Sequence, residues 1–246
     1  MTFQFLRRNR RYRAEYSRIR KHIGRGVPPA DSVREEIARM ARRWGLMFPG
    51  RSCLPASDAQ PLWRPDAFPA ALILTAAPEG YDRPVLLGPD DLPLATILHA
   101  RDGLHGIIAD DSGDHRIWFP HGMARIRLAI IVPLDEDLML RLNSIRRFHR
   151  LLTGKPIRPI PSLQALSASE RYRATLMLRA WDGADSGASR RDIAGVLFRS
   201  DFSGLSAAEW KSASERRQLA RILAEARAMI GGEYLTLLRG DVRRRR

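Results

Sequence analysis

Apolar residues recur at three-to-four spacing near both ends of the chain and gather in short blocks between them, a division that predicts helices flanking strands. Phe5, Tyr12, Tyr16, Ile19 and Ile23 share one face of a helix over Phe3–Ile23, which Gly24, Gly26, Pro28 and Pro29 end. Asp31 or Ser32 caps a second helix carrying Ile37, Met40, Ala41 and Trp44, with Glu35 and Glu36 early and Arg39, Arg42 and Arg43 late, as the helix dipole favours. Proline then dominates from Pro49 to Pro69, with Trp63 and Phe68 between, which predicts an extended segment pinned by its aromatics. Five apolar blocks follow: Ala71–Ala76, Leu94–Ala100, Gly106–Ala109, Arg116–Phe119 and Arg125–Val132. Turn residues at Arg101-Asp102-Gly103 and Asp111-Ser112-Gly113-Asp114 separate three of them, so a small antiparallel β meander is expected. A helix from Asp135 through Leu152 comes next, with Leu138, Leu142, Ile145, Phe148 and Leu152 inward and Arg141, Arg146, Arg147 and Arg150 exposed. Lys155, Pro156, Arg158, Pro159 and Pro161 make a stiff tether after it.

The remaining chain repeats one device. Ser167 with Glu170, Ser189 with Asp192, and Ser206 with Glu209 each place a hydroxyl and a carboxylate three residues apart, where a capping box starts a helix. The first box opens a supporting helix over Arg171–Trp181. The longest helix runs from Ser212 or Ser214 to Ile230, with Leu219, Ile222, Leu223, Ala226, Met229 and Ile230 on one stripe and Arg217, Arg221 and Glu225 on the other side. Gly231 and Gly232 end it. Capped helices leading into an arginine-bearing one are the order a helix-turn-helix needs. The fold class expected is therefore α+β, divided into N-terminal helices over 1–50, a central strand region with its helix and tether over 51–161, and an all-helical unit over 162–246.

Charge sharpens this division. The net charge is +15, and 39 of the 42 basic residues are arginine. Residues 1–51 hold 14 basic and 4 acidic side chains, net +10, whereas 52–140 hold 6 and 13, net −7. Residues 141–161 and 162–246 contribute +6 each, from 6 against 0 and 16 against 10. Basic ends around an acidic middle point to a polyanionic partner met at the ends, since a codon bias towards arginine would raise charge everywhere. The single cysteine, Cys53, rules out an intrachain disulfide, and no apolar run is long enough to cross a membrane. Residues 1–23 lack the apolar core and cleavage site of a secretory signal, so a cytoplasmic location is expected.

Catalytic chemistry finds little support. His99, His105, His115 and His121 fall in one window, but without the close pairing that metal ligands show. Asp110, Asp111 and Asp114 could hold magnesium, yet they sit in a Gly-containing turn where aspartate is common anyway. No phosphate-cradling Gly-rich loop with a lysine is present, and Cys53 has no neighbouring histidine. Trp181, Trp210, Phe198 and Tyr234 read as the core of a small bundle before they read as base-stacking surfaces. A non-enzymatic protein without metal or cofactor is expected.

Three groups of residues resemble a known family. Phe5-Leu6-Arg7-Arg8-Asn9 with Tyr12-Arg13 and Tyr16 form the first, and Arg43-Trp44-Gly45-Leu46, Phe48-Pro49, Trp63-Arg64-Pro65-Asp66 and Pro69 form the second. The third is Leu178-Arg179-Ala180, Asp182-Gly183, Gly187-Ala188-Ser189, Asp192-Ile193-Ala194, Leu197-Phe198, Trp210-Lys211-Ser212 and Gly231-Gly232-Glu233-Tyr234. Together they resemble the regulators of proteobacterial integrative and conjugative elements that include the excision activator FseA and the antiactivator QseM. Two departures stand out: Phe3 and Gln4 replace the tryptophan and glutamate usual there, and Glu233 interrupts a Gly-Gly-Tyr motif. The resemblance implies a transcriptional activator of excision or transfer genes; its short members, made of the C-terminal domain alone, bind other regulators.

Double-stranded DNA is thus the first partner expected, and another transcriptional regulator or antiactivator the second, with no membrane contact. Ser212, Ser214, Arg216, Arg217 and Arg221 on the long helix are the expected groove contacts, and Arg190 and Arg191 hold the neighbouring backbone. Arg243–Arg246 either adds salt-dependent phosphate contact or is a solvated tail. An adaptor or antiactivator gripping a protein through the same helices is the alternative.

Overall fold

A computed structural model describes residues 1–23, 31–47, 61–81, 83, 85–100, 102–120, 122, 124–157, 166–202 and 204–239, with no side-chain description for 21–23. The Gly24–Pro29 break, Cys53, His121, residues 158–161 of the tether and the Arg243–Arg246 tail lie outside the described residues.

The helix expected over Phe3–Ile23 is two helices, α1 (Thr2–Leu6) and α2 (Arg10–Ile23). Asn9 divides them. Its side-chain oxygen accepts the Tyr12 N–H at 3.1 Å, and its amide nitrogen donates to the Ile230 carbonyl at 2.8 Å. Asparagine at such a point offers the backbone an alternative partner to a continuous helix. α3 (Asp31–Trp44) ends at Gly45, whose φ of +70° permits the left-handed cap. Leu46 N–H then reaches back to the Ala41 carbonyl at 2.9 Å, and Leu46 pairs with Trp63.

Six strands form a curled mixed sheet: β1 (Leu72–Ala76), β2 (Leu86–Leu87), β3 (Leu94–Ala100), β4 (Gly103–Ile108), β5 (His115–Phe119) and β6 (Ile126–Ile131). Their order is β2-β6-β1-β5-β4-β3. The antiparallel pairs β3-β4 and β4-β5 follow the expected meander, but β1 inserts between β5 and β6, parallel to the first and antiparallel to the second. This corrects the simple meander. Leu72, Ile73 and Leu74 are all buried, a continuous apolar run that suits a central strand covered on both faces.

α4 (Leu138–Leu152) lies against this sheet and drives the fully buried Phe148 among Leu72, Leu74, Leu104, Ile117 and Phe119. Two of its arginines reverse the expectation of exposure. Arg141 and Arg147 are buried, while Leu142 is exposed. Arg141 grips Asp135 through two nitrogens at 3.1 and 2.6 Å and donates to the Pro69 carbonyl; Arg147 donates to the Gly113 carbonyl at 2.6 Å. A planar guanidinium satisfies several loop acceptors at once, which turns a charged position into a fastening.

α5 (Ala168–Asp185), α6 (Arg190–Phe198), α7 (Ala207–Ser212) and α8 (Ser214–Gly231) follow, and a 3-10 turn over Glu233–Leu238 closes the described chain. One core joins both ends of the molecule. Phe3, Phe5, Leu6, Tyr12, Tyr16 and Ile19 pack with Met40, Trp44 and Trp63, and with Ala174, Leu178, Ile230 and Tyr234 from the C-terminal helices. Tyr234 is fully buried, donates to the Trp44 carbonyl at 2.9 Å and meets Trp63 at 6.0 Å between ring centroids. Outside this core, Arg8 clasps Asp182, and Arg10 and Arg13 both reach Asp185.

Candidate nucleic-acid interface

All three capping boxes form. Ser167 and Glu170, Ser189 and Asp192, and Ser206 and Glu209 each exchange the two reciprocal bonds, so local sequence sets where α5, α6 and α7 begin. A single extended residue, Ala213 (φ −60°, ψ 139°), then separates α7 from α8. Of the two expected starts, the structure takes Ser214.

A second core holds these helices. Ala180, Ile193, Ala194, Leu197, Phe202, Leu219 and Ile222 are buried together, with Phe198 and Trp210 packed against them. Small residues bring α5 and α6 close: a Cβ placed on Gly183 would stand 3.0 Å from the Ile193 side chain. Trp181 and Tyr234 belong to the core shared with the N-terminal helices, so all four aromatics weighed as stacking surfaces contribute to packing.

Leu219, Ile222, Ala226 and Ile230 form the buried stripe of α8. By helical geometry the opposite face carries Ser214, Arg217, Arg221 and Ala224, with Gln218 at its edge, all exposed. Arg217 and Arg221 lie one turn apart there. The lowered pKa of the Glu215 carboxyl reflects its own backbone amide first, then the Ser214 hydroxyl, with Arg217 adding a weaker pull.

The other expected contacts divide. Arg216 is half-buried and donates to the Lys211 carbonyl at 3.0 Å, which fastens α8 to the end of α7. Ser212 is exposed but turns its hydroxyl to the Glu209 carbonyl at 3.0 Å. Arg191 sits 5.8 Å above the Trp210 ring, so α6 also touches α7, while Arg190 is exposed at the start of α6. The structure thus brings Arg191, Lys211, Arg216 and the first turns of α8 around one short helix. Lys211 and Gln218, both exposed, do not stand out in the sequence; only the helical register measured from Ser214 and Arg221 points to Gln218.

The described histidines have separate surroundings. His105 stacks on Trp118 and lies 3.2 Å from Asp102; burial lowers its pKa more than Asp102 raises it. His115 rests against Phe148, and burial, then Arg147, lowers its pKa. Among the described residues no group of three or more His, Cys, Asp or Glu side chains could hold a metal ion. None of the described helices is long and apolar enough to cross a membrane.

Family comparisons bear on both ends of the chain. Residues 131–239 match the model of a T6SS transcription factor DNA-binding domain, and residues 1–49 match a proteobacterial transcriptional regulator-like domain. Residues 70–130 match a domain of unknown function. No curated protein matches the chain. The first two matches indicate a DNA-binding transcriptional regulator of a proteobacterial kind. The matched DNA-binding segment begins ahead of α4.

Proposed function

We propose that this regulator activates excision or transfer genes of a conjugative element, with the N-terminal half of α8 entering the major groove of promoter DNA. The observation that carries the reading is the exposed face of Ser214, Arg217 and Arg221, with Gln218 at its edge, held opposite a buried stripe on a packed helical core. Arginine recognises guanine through two parallel hydrogen bonds, worth about 1–3 kcal/mol of discrimination. Arg190 and Lys211, both exposed, meet phosphates in this reading, whereas Arg191 and Arg216 hold α7 in place. The conjugative-element assignment rests on the motif resemblance, and DNA recognition on the matched domains.

The test is selection of host genomic fragments on the full chain, followed by affinity measurements on the enriched sequence. Arg217→Ala with Arg221→Ala is expected to weaken binding at least about tenfold and to lower the salt slope by about one for each phosphate no longer neutralised. Unchanged DNA affinity would remove α8 from the groove. If the same double variant kept its DNA affinity but released a regulator that co-purifies with the full chain, the adaptor reading would replace the activator.

A further inference from the structure

α4 covers only part of one face of the sheet. It sits above β1, whereas β6 and β2 extend past it to the open edge. Between them lies a trough of about 720 Å³. Its floor is aliphatic: Val85, Leu128 and Ile130 from the strand side, Ile145 and Leu152 from the helix. Val85 is 60% exposed and the other four are half-buried, although a sheet face of this kind is normally closed by a packed layer. Met139 and Leu142, exposed on the flank of α4, add to its uncovered apolar surface.

The rim has one sign of charge. Arg146, Arg150 and Lys155 line it, and among the described residues no carboxylate does. Arg150 is steadied by the Pro156 carbonyl at 2.6 Å, which keeps it beside Lys155. Arg147, by contrast, turns its guanidinium away to the loop at Gly113. An aliphatic floor gives a nucleic-acid backbone nothing to bury, and cations along one side repel a basic partner. An amphipathic helix with aliphatic side chains on one face and carboxylates beside them meets both requirements.

We propose that the trough between α4 and the β2–β6 edge docks an acidic amphipathic helix of a partner protein, on a surface separate from α8. Occupation would clamp the sheet to the helix near which the matched DNA-binding segment begins, and so link a protein partner to the DNA-binding part of the chain.

The probe is a displayed library of helical peptides, panned against the full chain. Enriched sequences are expected to carry aliphatic residues at helical i, i+3, i+4 and i+7 positions with Asp or Glu beside them. Arg146→Glu with Lys155→Glu should weaken the best peptide at least about tenfold, and Val85→Asp should do the same. All three sites are exposed, and thermal melts of both variants should match the parent. DNA affinity of the rim variant should stay within about twofold, because it leaves α8 untouched. Neutral or basic enriched peptides, peptides indifferent to these changes, or DNA binding that falls with the rim variant would each overturn the proposal; the last would make the rim a phosphate contact instead.

Discussion

Glu15 is buried on α2 and takes hydrogen bonds from Arg11 at 3.1 Å, Arg43 at 2.5 Å and Trp44 at 2.9 Å. Burial alone would raise its pKa, but the three donors outweigh it and hold the carboxyl below its ordinary value. Glu15→Ala leaves the Trp44 N–H without a partner in the core and should cost about 1.5–3 kcal/mol in urea unfolding, the range for breaking a hydrogen bond to a charged group. A cost under about 0.5 kcal/mol, typical of surface positions, would show that the cluster holds nothing together. His105 and His115 act at higher pH. Their lowered folded pKa means that the unfolded chain binds more protons as pH falls below about 6.5, so stability drops there first. Glu15, Asp110 and Asp185, also lowered, hold their contribution above about pH 4–4.5 and lose it as pH falls through their folded values. Urea midpoints should therefore fall in two stages on acidification. His105→Gln with His115→Phe should remove the first; a parent midpoint constant between about pH 7 and 5.5 would contradict the histidine contribution.

α4 separates what a sequence pattern can and cannot show. Periodicity locates the helix and places Phe148 inward, yet Arg141 and Arg147 look no different in sequence from Arg146. Their burial depends on Asp135, the Pro69 carbonyl and the Gly113 carbonyl, acceptors that only the folded loops bring within reach. Arg147→Ala should cost about 2–4 kcal/mol of stability, because it leaves a loop carbonyl and Asp110 without their cation, while Arg146→Ala should change stability by less than about 0.5 kcal/mol. Equal effects at the two positions would contradict this division. Capping boxes are legible because each is complete within four residues. The face of α8 is legible for a similar reason, through its apolar stripe. The role of Arg216 is not, since its bond to the Lys211 carbonyl depends on the bend at Ala213.

At the scale of the molecule, the parallel pairing of Leu72 with Ile117 joins residues far apart in the chain, which no local pattern encodes, and β2 has only two residues to announce it. Helices at both ends and strands between them could be read; the position of β1 could not. The common core of residues 3–19 with 174–234 is equally hidden, because each contributing helix shows only that it has an apolar side. A fragment of residues 166–239 would expose Leu178, Ile230 and Tyr234, which the N-terminal helices otherwise cover. It should melt at least several degrees below the full chain and bind a hydrophobic dye in its native baseline. A fragment as stable as the full chain, without dye binding, would show that the C-terminal helices form an independent domain.

That common core also sets an order of events during synthesis. Phe3, Phe5 and Leu6 leave the ribosome long before Ile230 and Tyr234 exist, so α1 waits for partners translated later, whereas Tyr12 on α2 finds Trp44 of α3 soon after synthesis. A message truncated within the strand region yields a product that cannot complete the core and is left to chaperones and proteases. The N-terminal helices therefore find their full seat only in a chain that has also acquired its C-terminal helices.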